Sequence, residues 1–359
     1  MRKLSVITLT ILIISTLVFA GNSNVDQDGI ITPEILLEIQ KSFSFDTHTK
    51  ASYNALLANE LKDISKNPAA WNSLDYIFSL ELDIQGMTDQ ASSGRCWLFA
   101  TYNILRQRII LDHNLEDFEF SVTYSMFWDK FEKANLFLEY IIMNPGIDFN
   151  DREFVLLLKT PLPDGGFWHM SSDVINKYGA VPKNIMPESH SSASTGRMNN
   201  LMEQKMRMYA YEMKEMADSG KSVKKMRKVK VEMLKEVYRM LVLNLGLPPE
   251  TFEWRYVDKD GKISETKTYT PKSFYNEVVG VDLDEFIVIG NCPTQPFNKN
   301  YQIKLGRGQM EGTDWIFLNL DMKTMKELAV KVLQDSIPCQ FSMDIGSHQR
   351  DADTGYMAV

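Results

Sequence analysis

Cysteine and histidine are scarce in this sequence, which has three cysteines and five histidines among its 359 residues. The cysteines, Cys96, Cys292 and Cys339, are too few for a disulfide framework, and their spacing matches no zinc motif. Two alternatives fit the sequence equally well: Cys292 and Cys339 form a disulfide, or each is a separate buried thiol. The Asp-Lys-Asp-Gly turn at residues 258–261 is too short for a calcium loop. We therefore expect neither a metal nor a cofactor.

Positive net charge is also lacking, and so are long apolar runs after the first twenty residues. The formal net charge of −8 at pH 7 argues against nucleic acid or an anionic membrane surface as the main partner. No stretch after residue 20 is apolar enough to cross a bilayer, and the sequence has no repeats. Its 44% hydrophobic and 24% charged residues are typical of a soluble globular protein with a large core.

The first twenty residues have the composition of a signal peptide. Arg2 and Lys3 form a basic start, residues 4–19 form an apolar run, and small residues surround Ala20. We expect cleavage after Ala20 and export to the periplasm or the cell exterior. The apolar run is short for a membrane span, so an uncleaved anchor is the weaker alternative.

Residues 85–108 join a polar, glycine-containing loop to a helix. Residues 92–94, Ser-Ser-Gly, supply N-cap and turn chemistry, and apolar side chains then recur at three- and four-residue spacing. Cys96 falls in the first helical turn, where unpaired N–H groups and the helix dipole favour the nucleophilic thiolate. Gln90, six residues earlier, has an amide that could donate to an oxyanion beside the sulfur. A lone cysteine before an apolar helix is also typical of a buried small side chain, so both interpretations stay open.

The same stretch resembles a known active site. Residues 93–97 read Ser-Gly-Arg-Cys-Trp, which is similar to the Cys-Gly-Ser/Ala-Cys-Trp/Tyr start of the active-site helix in papain-like cysteine peptidases, with Ser93 in place of the first cysteine. Together with Thr-Asp-Gln at residues 88–90, this variant resembles the bleomycin hydrolase and aminopeptidase C branch. The resemblance implies that Cys96 is the nucleophile and that Gln90 builds the oxyanion hole.

A second candidate site element is the Asp-Gly-Gly-Phe-Trp stretch at residues 164–168. Paired glycines permit close approach of another backbone, although sequence alone favours an ordinary turn. The stretch resembles the Gly-Gly substrate-binding loop of papain-like enzymes. That resemblance implies that Gly165 and Gly166 hydrogen-bond the backbone of a peptide substrate. His169, close by, has no counterpart among the catalytic residues of the resembled family.

The order of the patterns predicts an α+β fold, because helical periodicity comes first and strand alternation later. We predict helices at residues 32–80, 124–140, 198–245 with a break at 219–220, and 322–334. We predict strands at residues 252–256, 267–269, 286–289, 301–304, 315–318 and 340–345. The resemblance implies the two-lobed papain-like fold from about residue 50 onward. The expected division is a signal peptide at 1–20, a flexible or helical lead-in at 21–50, and a peptidase domain at 51–359 with a helical insertion at about 198–245.

The general base of the catalytic triad is not evident. In papain-like enzymes His and Asn follow the cysteine by about 130–150 residues, and that window contains no histidine here. The histidines after Cys96 are His113, His169, His190 and His348, and residues 343–348 resemble a family strand that precedes the catalytic histidine. We therefore expect the catalytic His and Asn to be missing from this chain, which would be truncated at its C-terminus and inactive as it stands.

Two function classes follow. The first is a cysteine-type aminopeptidase or peptidase, and the alternative is a non-catalytic papain-like module that binds peptides or serves assembly. The expected partners are peptide substrates and, by the resemblance, further copies of the chain, since the resembled family forms hexamers.

Most of that family is intracellular, so a cytoplasmic location is the alternative to export. The methionine-rich stretch at residues 198–245 is expected to fill the core or an interface rather than to bind a cofactor.

Overall fold

Helices occupy most of the chain up to Leu245, and short strands follow from Phe252 onward. The computed structural model describes residues 26–359 apart from 65, 68, 70, 71, 74, 76, 85, 344–348, 352–355 and 359. The described residues fall into two units, residues 77–342 and the residues up to 76 together with those from 343 onward. The predicted signal peptide and His348 lie outside the described residues.

The helices begin mostly at polar caps. In chain order they are α1 (Pro33–Lys41), α2 (Thr47–Ala58), α3 (Leu61–Ile64), α4 (Cys96–Asp112), α5 (Val122–Met143), α6 (Arg152–Lys159), α7 (Trp168–Tyr178), α8 (His190–Ala193), α9 (Gly196–Asp218), α10 (Val223–Leu245), α11 (Pro271–Phe274) and α12 (Met322–Gln334). Ser121, Ser222 and Asp321 accept hydrogen bonds from the first-turn N–H groups of α5, α10 and α12. No side chain caps α4 or α7, the helices next to the candidate site.

The strands form small sheets. β1 (Phe252–Trp254) pairs antiparallel with β2 (Lys267–Tyr269), and the turn at 258–261 predicted between them is closed by Gly261 at φ +79°. β3 (Ile289–Gly290), β4 (Lys299–Ile303) and β5 (Trp315–Asn319) form a sheet in the order β3-β5-β4, parallel between β3 and β5 and antiparallel between β4 and β5. β6 (Gln349–Asp351) and β7 (Tyr356–Ala358) pair antiparallel within the other unit.

The helices predicted at 124–140, 198–245 and 322–334 are confirmed, whereas the helical prediction for 32–80 holds only up to Ile64, since most of the described residues from 66 to 80 are not helical. The strands predicted at 286–289 and 340–345 are wrong in larger part. The helix expected at 322–334 coincides with α12, residues 124–140 lie within α5, and the break at 219–220 separates α9 from α10. Of the strand expected at 286–289 only Ile289 is in a strand, because the chain reaches its partner β5 only there. Residues 340–343 form no strand, and the rest of that prediction lies outside the described residues. Alternating side chains cannot by themselves provide a strand partner.

Helix α5 is the centre of the larger unit. It packs against α4, α7, α9 and α10, and side chains such as Phe127 and Leu138 are fully buried. Burial of each such side chain stabilises the fold by about 1.5–3 kcal/mol. Methionines of α9 and α10 fill the space against α5, among them Met202, Met206, Met213, Met226 and Met233. The expectation that these methionines belong to the core is confirmed, while Met208 is exposed.

None of the helices in the described ranges combines the length and the apolar character that a bilayer crossing requires.

Candidate active site

Cys96 is the first residue of α4, and its side chain is exposed. The two residues that follow, Trp97 and Leu98, are buried at 4% and 1% exposure. The helix therefore presents the thiol to solvent while the next side chains anchor its first turn in the core. A buried small side chain, the alternative that the sequence left open, is wrong for this cysteine.

The start of α4 has no side-chain cap, contrary to the expectation for residues 92–94. Arg95 occupies the N-cap position with φ −91° and ψ 14°, and its side chain makes no capping hydrogen bond. Ser93 instead donates its hydroxyl to the carbonyl of Gln90 at 2.6 Å. The unpaired N–H groups and the dipole of a 17-residue helix thus act next to the Cys96 sulfur, where they favour negative charge.

Gln90 lies in the loop immediately before this helix. Its amide makes no hydrogen bond with the described part of the chain, and its Oε1 is buried. The N–H groups of the amide are therefore available to another acceptor. Ala91 follows in the left-handed region at φ +52°, and its N–H donates to Asp89 Oδ1 at 2.7 Å. A non-glycine residue held at positive φ is uncommon and occurs preferentially at functional sites.

Ser92 attaches the loop to the segment after α8. Its N–H donates to the carbonyl of Ala193 at 2.9 Å, and its carbonyl accepts from the N–H of Thr195 at 3.2 Å. This pairing forms an isolated parallel bridge between Ser92 and Ser194. The residues between Gln90 and Cys96 are thus held by main-chain contacts to a distant part of the sequence, which no local pattern could show.

Arg95 fixes the same junction from the buried side. Its guanidinium is 1% exposed and makes a bidentate pair with Glu188, at 2.9 Å and 3.0 Å, while its Nε donates to Ser93 Oγ at 2.9 Å. Burial would raise the pKa of Glu188, but hydrogen bonds from Arg95 and Ser192 outweigh it and lower that pKa. The pair is therefore ionised and geometrically specific.

Trp97 connects the cysteine helix to the loop that carries Gly165 and Gly166. Its indole N–H donates to the carbonyl of Asp164 at 2.8 Å. A Cβ at Gly166 would lie 2.6 Å from the indole ring of Trp97, so only glycine permits this approach. At Gly94 a Cβ would lie 2.8 Å from Asp164 Cβ, which again requires glycine. The two elements singled out from the sequence therefore meet beside Cys96.

The carboxylate of Asp164 is the hub of this contact. Its oxygens accept hydrogen bonds from four donors, Lys130 at 2.7 Å, Asn199 at 2.8 Å, Thr195 at 2.6 Å and the N–H of Gly94 at 3.2 Å. Burial would raise the pKa of Asp164, but the Lys130 ammonium and the hydrogen bonds lower it to about 2. No pattern in the sequence indicated a role for the Asp164 side chain.

Helix α5 contributes buried charges that the sequence analysis also missed. Asp129, Lys130 and Lys133 are 2%, 0% and 5% exposed. Burial raises the pKa of Asp129 and lowers the pKa of Lys130, in each case against the pull of neighbouring opposite charges. A signal was present in the sequence, because residues 129–133 place four charged side chains in an otherwise aromatic helix. Charges in a core helix need partners. Lys130 and Lys133 find them in the loop at 162–165, and Asp129 pairs with Lys133 of the same helix.

Two of the histidines are committed to structural contacts. His113 caps the far end of α4, where its Nδ1 hydrogen-bonds Tyr256 Oη at 3.0 Å. His169 donates from Nε2 to the carbonyl of Gly306 at 2.7 Å, and its Nδ1 is buried without a partner among the described groups. Burial lowers the pKa of both imidazoles. His190 is exposed at the start of α8.

The three cysteines are unpaired, with Cys96 and Cys339 exposed and Cys292 partly buried. The disulfide between Cys292 and Cys339 is therefore not formed, and the alternative of two buried thiols is also wrong, because both positions lie near the surface. Across the part of the chain that the structure describes, no three His, Cys, Asp or Glu side chains are grouped as metal ligands.

Known proteins match most of this chain. The sequence model of the peptidase C1-like family matches residues 30–359. Aminopeptidase C of Lactococcus lactis subsp. lactis (strain IL1403) is 36% identical over 320 residues, which cover 88% of this chain and 72% of that protein. Aminopeptidase C of Lactobacillus delbrueckii subsp. lactis is 33% identical over 333 residues, 91% of this chain and 74% of its own length. The crystal structure of PepW from Lactobacillus rhamnosis HN001 superposes with a TM-score of 0.82 at 33% identity, covering 87% of this chain and 70% of that one.

Proposed function

Because the chain belongs to the peptidase C1-like family and has its papain-like fold, we propose that it is a cysteine-type aminopeptidase in which Cys96 is the nucleophile. One observation carries the proposal, namely that an exposed thiol begins an uncapped helix whose next residue is bonded to the Gly165–Gly166 loop. The aminopeptidase assignment draws on the names of the relatives, and peptides are the proposed substrates.

The proposed reaction is acyl transfer to sulfur. The Cys96 thiolate attacks the scissile carbonyl, the C–N bond of the tetrahedral adduct breaks, and the leaving amine takes a proton from water. Water then hydrolyses the thioester and restores the thiol. Gln90 would donate its amide to the oxyanion, and its lack of any hydrogen bond to the described residues supports that role.

The residues of the paired-glycine loop would hold the substrate backbone. Gly165 is exposed and Gly166 partly so, and the N–H and C=O of Gly166 make no hydrogen bond to the described residues. One free donor and one free acceptor on the same residue suit an extended peptide. Neither His113 nor His169 is proposed as the general base, because the hydrogen bonds already described occupy them.

The test compares two exposed cysteines. Because no general base is assigned among the described residues, the assays use the chain as it stands and an extended form that carries a family C-terminal segment with His and Asn. The extended form and its Cys96→Ser and Cys339→Ser variants are assayed on aminoacyl and dipeptidyl fluorogenic reporters, and binding of an uncleaved peptide is measured in parallel. We expect negligible hydrolysis by the chain as it stands. In the extended form we expect Cys96→Ser to remove hydrolysis, a loss on the order of 10⁴-fold or more, and Cys339→Ser to retain it. Hydrolysis that survives Cys96→Ser would contradict the proposal. Peptide binding without hydrolysis by the extended form would favour the non-catalytic peptide-binding or assembly module.

We further propose that residues 1–20 direct export and that the mature chain begins at Gly21. The basic start, the apolar run and the small residues around Ala20 support this. N-terminal sequencing of the protein from its host should find Gly21, and a start at Met1 in a cytosolic fraction would contradict the proposal. Assembly into a homo-oligomer stays a prediction, which sedimentation measurements can test.

A further inference from the structure

Two lysines of α5 hold the loop that carries Gly165 and Gly166. Lys133 Nζ donates to the carbonyls of Pro163 at 3.0 Å and Gly165 at 2.9 Å, and to Asp129 Oδ2 at 2.8 Å. These three acceptors use all three N–H groups of the ammonium. Lys130 Nζ donates to the carbonyl of Leu162 at 2.5 Å and pairs with Asp164 Oδ1 at 2.7 Å. The main chain of residues 162–165 is thus bonded to one helix through two side chains.

The burial of these lysines calls for a reason beyond stability. Both are almost completely buried, and removing an ammonium from water is costly even when it is paired. Well-packed apolar side chains of similar volume would fill the same space at no loss of stability. Apolar side chains could not, however, donate hydrogen bonds to the main-chain carbonyls of Leu162, Pro163 and Gly165, which these lysines bond. What the charges add is a defined position for that loop.

The position of the loop at 162–166 matters because the loop lies against the first turn of α4 and carries the main-chain N–H and C=O of Gly166, which have no described partner. Lys133 Nζ also lies 5.3 Å from the centre of the Trp97 ring, so it joins the loop and the first turn of α4. The carbonyl of Gly165 is taken by Lys133, whereas the N–H and C=O of Gly166 remain free of described partners. The lysines therefore bind the inner side of the loop and leave its outer edge open.

We propose that Lys130 and Lys133 are positioning residues that hold the Gly165–Gly166 edge in the conformation that pairs with a substrate backbone beside Cys96. This rests on the proposed role of the paired glycines. A loop fixed in advance loses little conformational entropy when a peptide binds, and it keeps the scissile bond aligned with the sulfur.

The test uses two alkylating reagents on the purified full chain, so it needs no turnover. A dipeptidyl chloromethyl ketone has a peptide backbone that the loop can bind, whereas iodoacetamide has none. The Cys96 thiolate displaces chloride from the chloromethyl ketone and iodide from iodoacetamide. The measured quantity is the ratio of the two rates of Cys96 alkylation, followed by mass spectrometry and normalised to the ratio for N-acetylcysteine. The variants are Lys133→Met and the double variant Asp129→Asn/Lys133→Met, which leaves no unpaired buried carboxylate.

The matched control is Lys230→Met. Lys230 of α10 is also largely buried and also bonds α5, through Asn135 at 2.8 Å and Glu139 at 2.6 Å, and its described hydrogen bonds and ion pairs include none with residues 162–166. We expect both Lys133 variants to lower the normalised ratio by about 10- to 100-fold, as for a misplaced substrate, with the iodoacetamide rate nearly unchanged. Lys230→Met should leave the ratio unchanged.

Three results would overturn the inference. A folded Lys133 variant with an unchanged ratio would show that the lysine does not position the loop. An equal fall in both rates would show a general disturbance of the helix start. A wild-type ratio no higher than that of N-acetylcysteine would show that the loop binds no peptide backbone. Failure of the proposed peptidase function is a separate result, since it is read from hydrolysis and not from alkylation.

Discussion

The indole N–H of Trp97 donates a 2.8 Å hydrogen bond to the main-chain carbonyl of Asp164. Trp97 follows Cys96, and Asp164 precedes Gly165, so this single bond connects the residue beside the candidate nucleophile with the residue beside the candidate substrate loop. The ring also packs on Gly166, where any larger residue would collide with it. Trp97 is therefore one of the side chains that set the relative placement of nucleophile and loop.

Trp97→Phe tests that dependence. Phenylalanine keeps most of the buried ring but cannot donate to Asp164, so we expect a loss of about 1 kcal/mol in the free energy of unfolding. Peptide hydrolysis by the form extended with the family His and Asn should fall by about tenfold or more, because the loop is less firmly placed. Trp315→Phe is the control, since the indole N–H of Trp315 is buried with no partner among the described groups and its loss breaks no hydrogen bond. Equal activity in the two variants would show that the bond does not matter.

The paired glycines should respond differently to alanine. At Gly166 a Cβ would lie 2.6 Å from the Trp97 ring, while at Gly165 no heavy atom lies within 4 Å. Gly166→Ala must displace the indole, and we expect it to lower the free energy of unfolding by about 1–3 kcal/mol, as overpacked core substitutions do. Gly165→Ala should change it by less than about 0.5 kcal/mol. Chemical denaturation of both variants measures the difference, and equal stabilities would contradict the described contact.

Asp164 should make the stability of the protein sensitive to acid. Its pKa in the folded chain is about 2, below the ordinary value of 3.8. Because the folded pKa is the lower one, the stabilisation is complete above about pH 4 and is lost as the pH falls toward 2. The shift corresponds to about 2 kcal/mol at most, and solvent screening reduces that figure.

Denaturation curves of wild type and Asp164→Asn should therefore converge as the pH is lowered from 5 to 2. Glu250→Gln is the control, because Glu250 is exposed and forms no ion pair with any described residue. This substitution removes a carboxylate without breaking an ion pair. A gap between wild type and Asp164→Asn that stays constant down to pH 2 would contradict the assigned ion pair.

His169 should prove dispensable for catalysis. Its Nε2 donates to the Gly306 carbonyl, and burial holds its pKa below the ordinary value, so it is neutral at pH 7. His169→Gln can keep the donor to Gly306. In the form extended with the family His and Asn we expect its kcat to stay within about threefold of the unsubstituted value, far less than the loss of a general base would cause. His169→Ala should lose about 1–3 kcal/mol of stability by leaving that carbonyl unpaired. A large fall in kcat for His169→Gln at unchanged melting temperature would instead identify it as the base.

Local patterns in the sequence predicted a helix start at Cys96 and much of the helical framework, and the family resemblance made Cys96 the candidate nucleophile. Three- and four-residue apolar spacing after residues 92–94 is enough to begin a helix near Cys96, and the structure begins it there. The helices around residues 124–140 and 322–334 were equally predictable, since helix formation depends on neighbours a few residues apart. Strands such as β3 were less predictable, because pairing requires a distant partner.

The tertiary structure alone decided how the parts of the site meet. Arg95 and Glu188, Trp97 and Gly166, and Lys133 and Gly165 are far apart in the sequence, and each contact depends on which faces the core brings together. The sequence determined that a cysteine begins a helix and that two glycines begin a loop. Packing around α5 determined that the loop lies against the helix that begins at the cysteine. The buried charges of α5 can form hydrogen bonds and ion pairs only with the particular groups that the fold places within their reach.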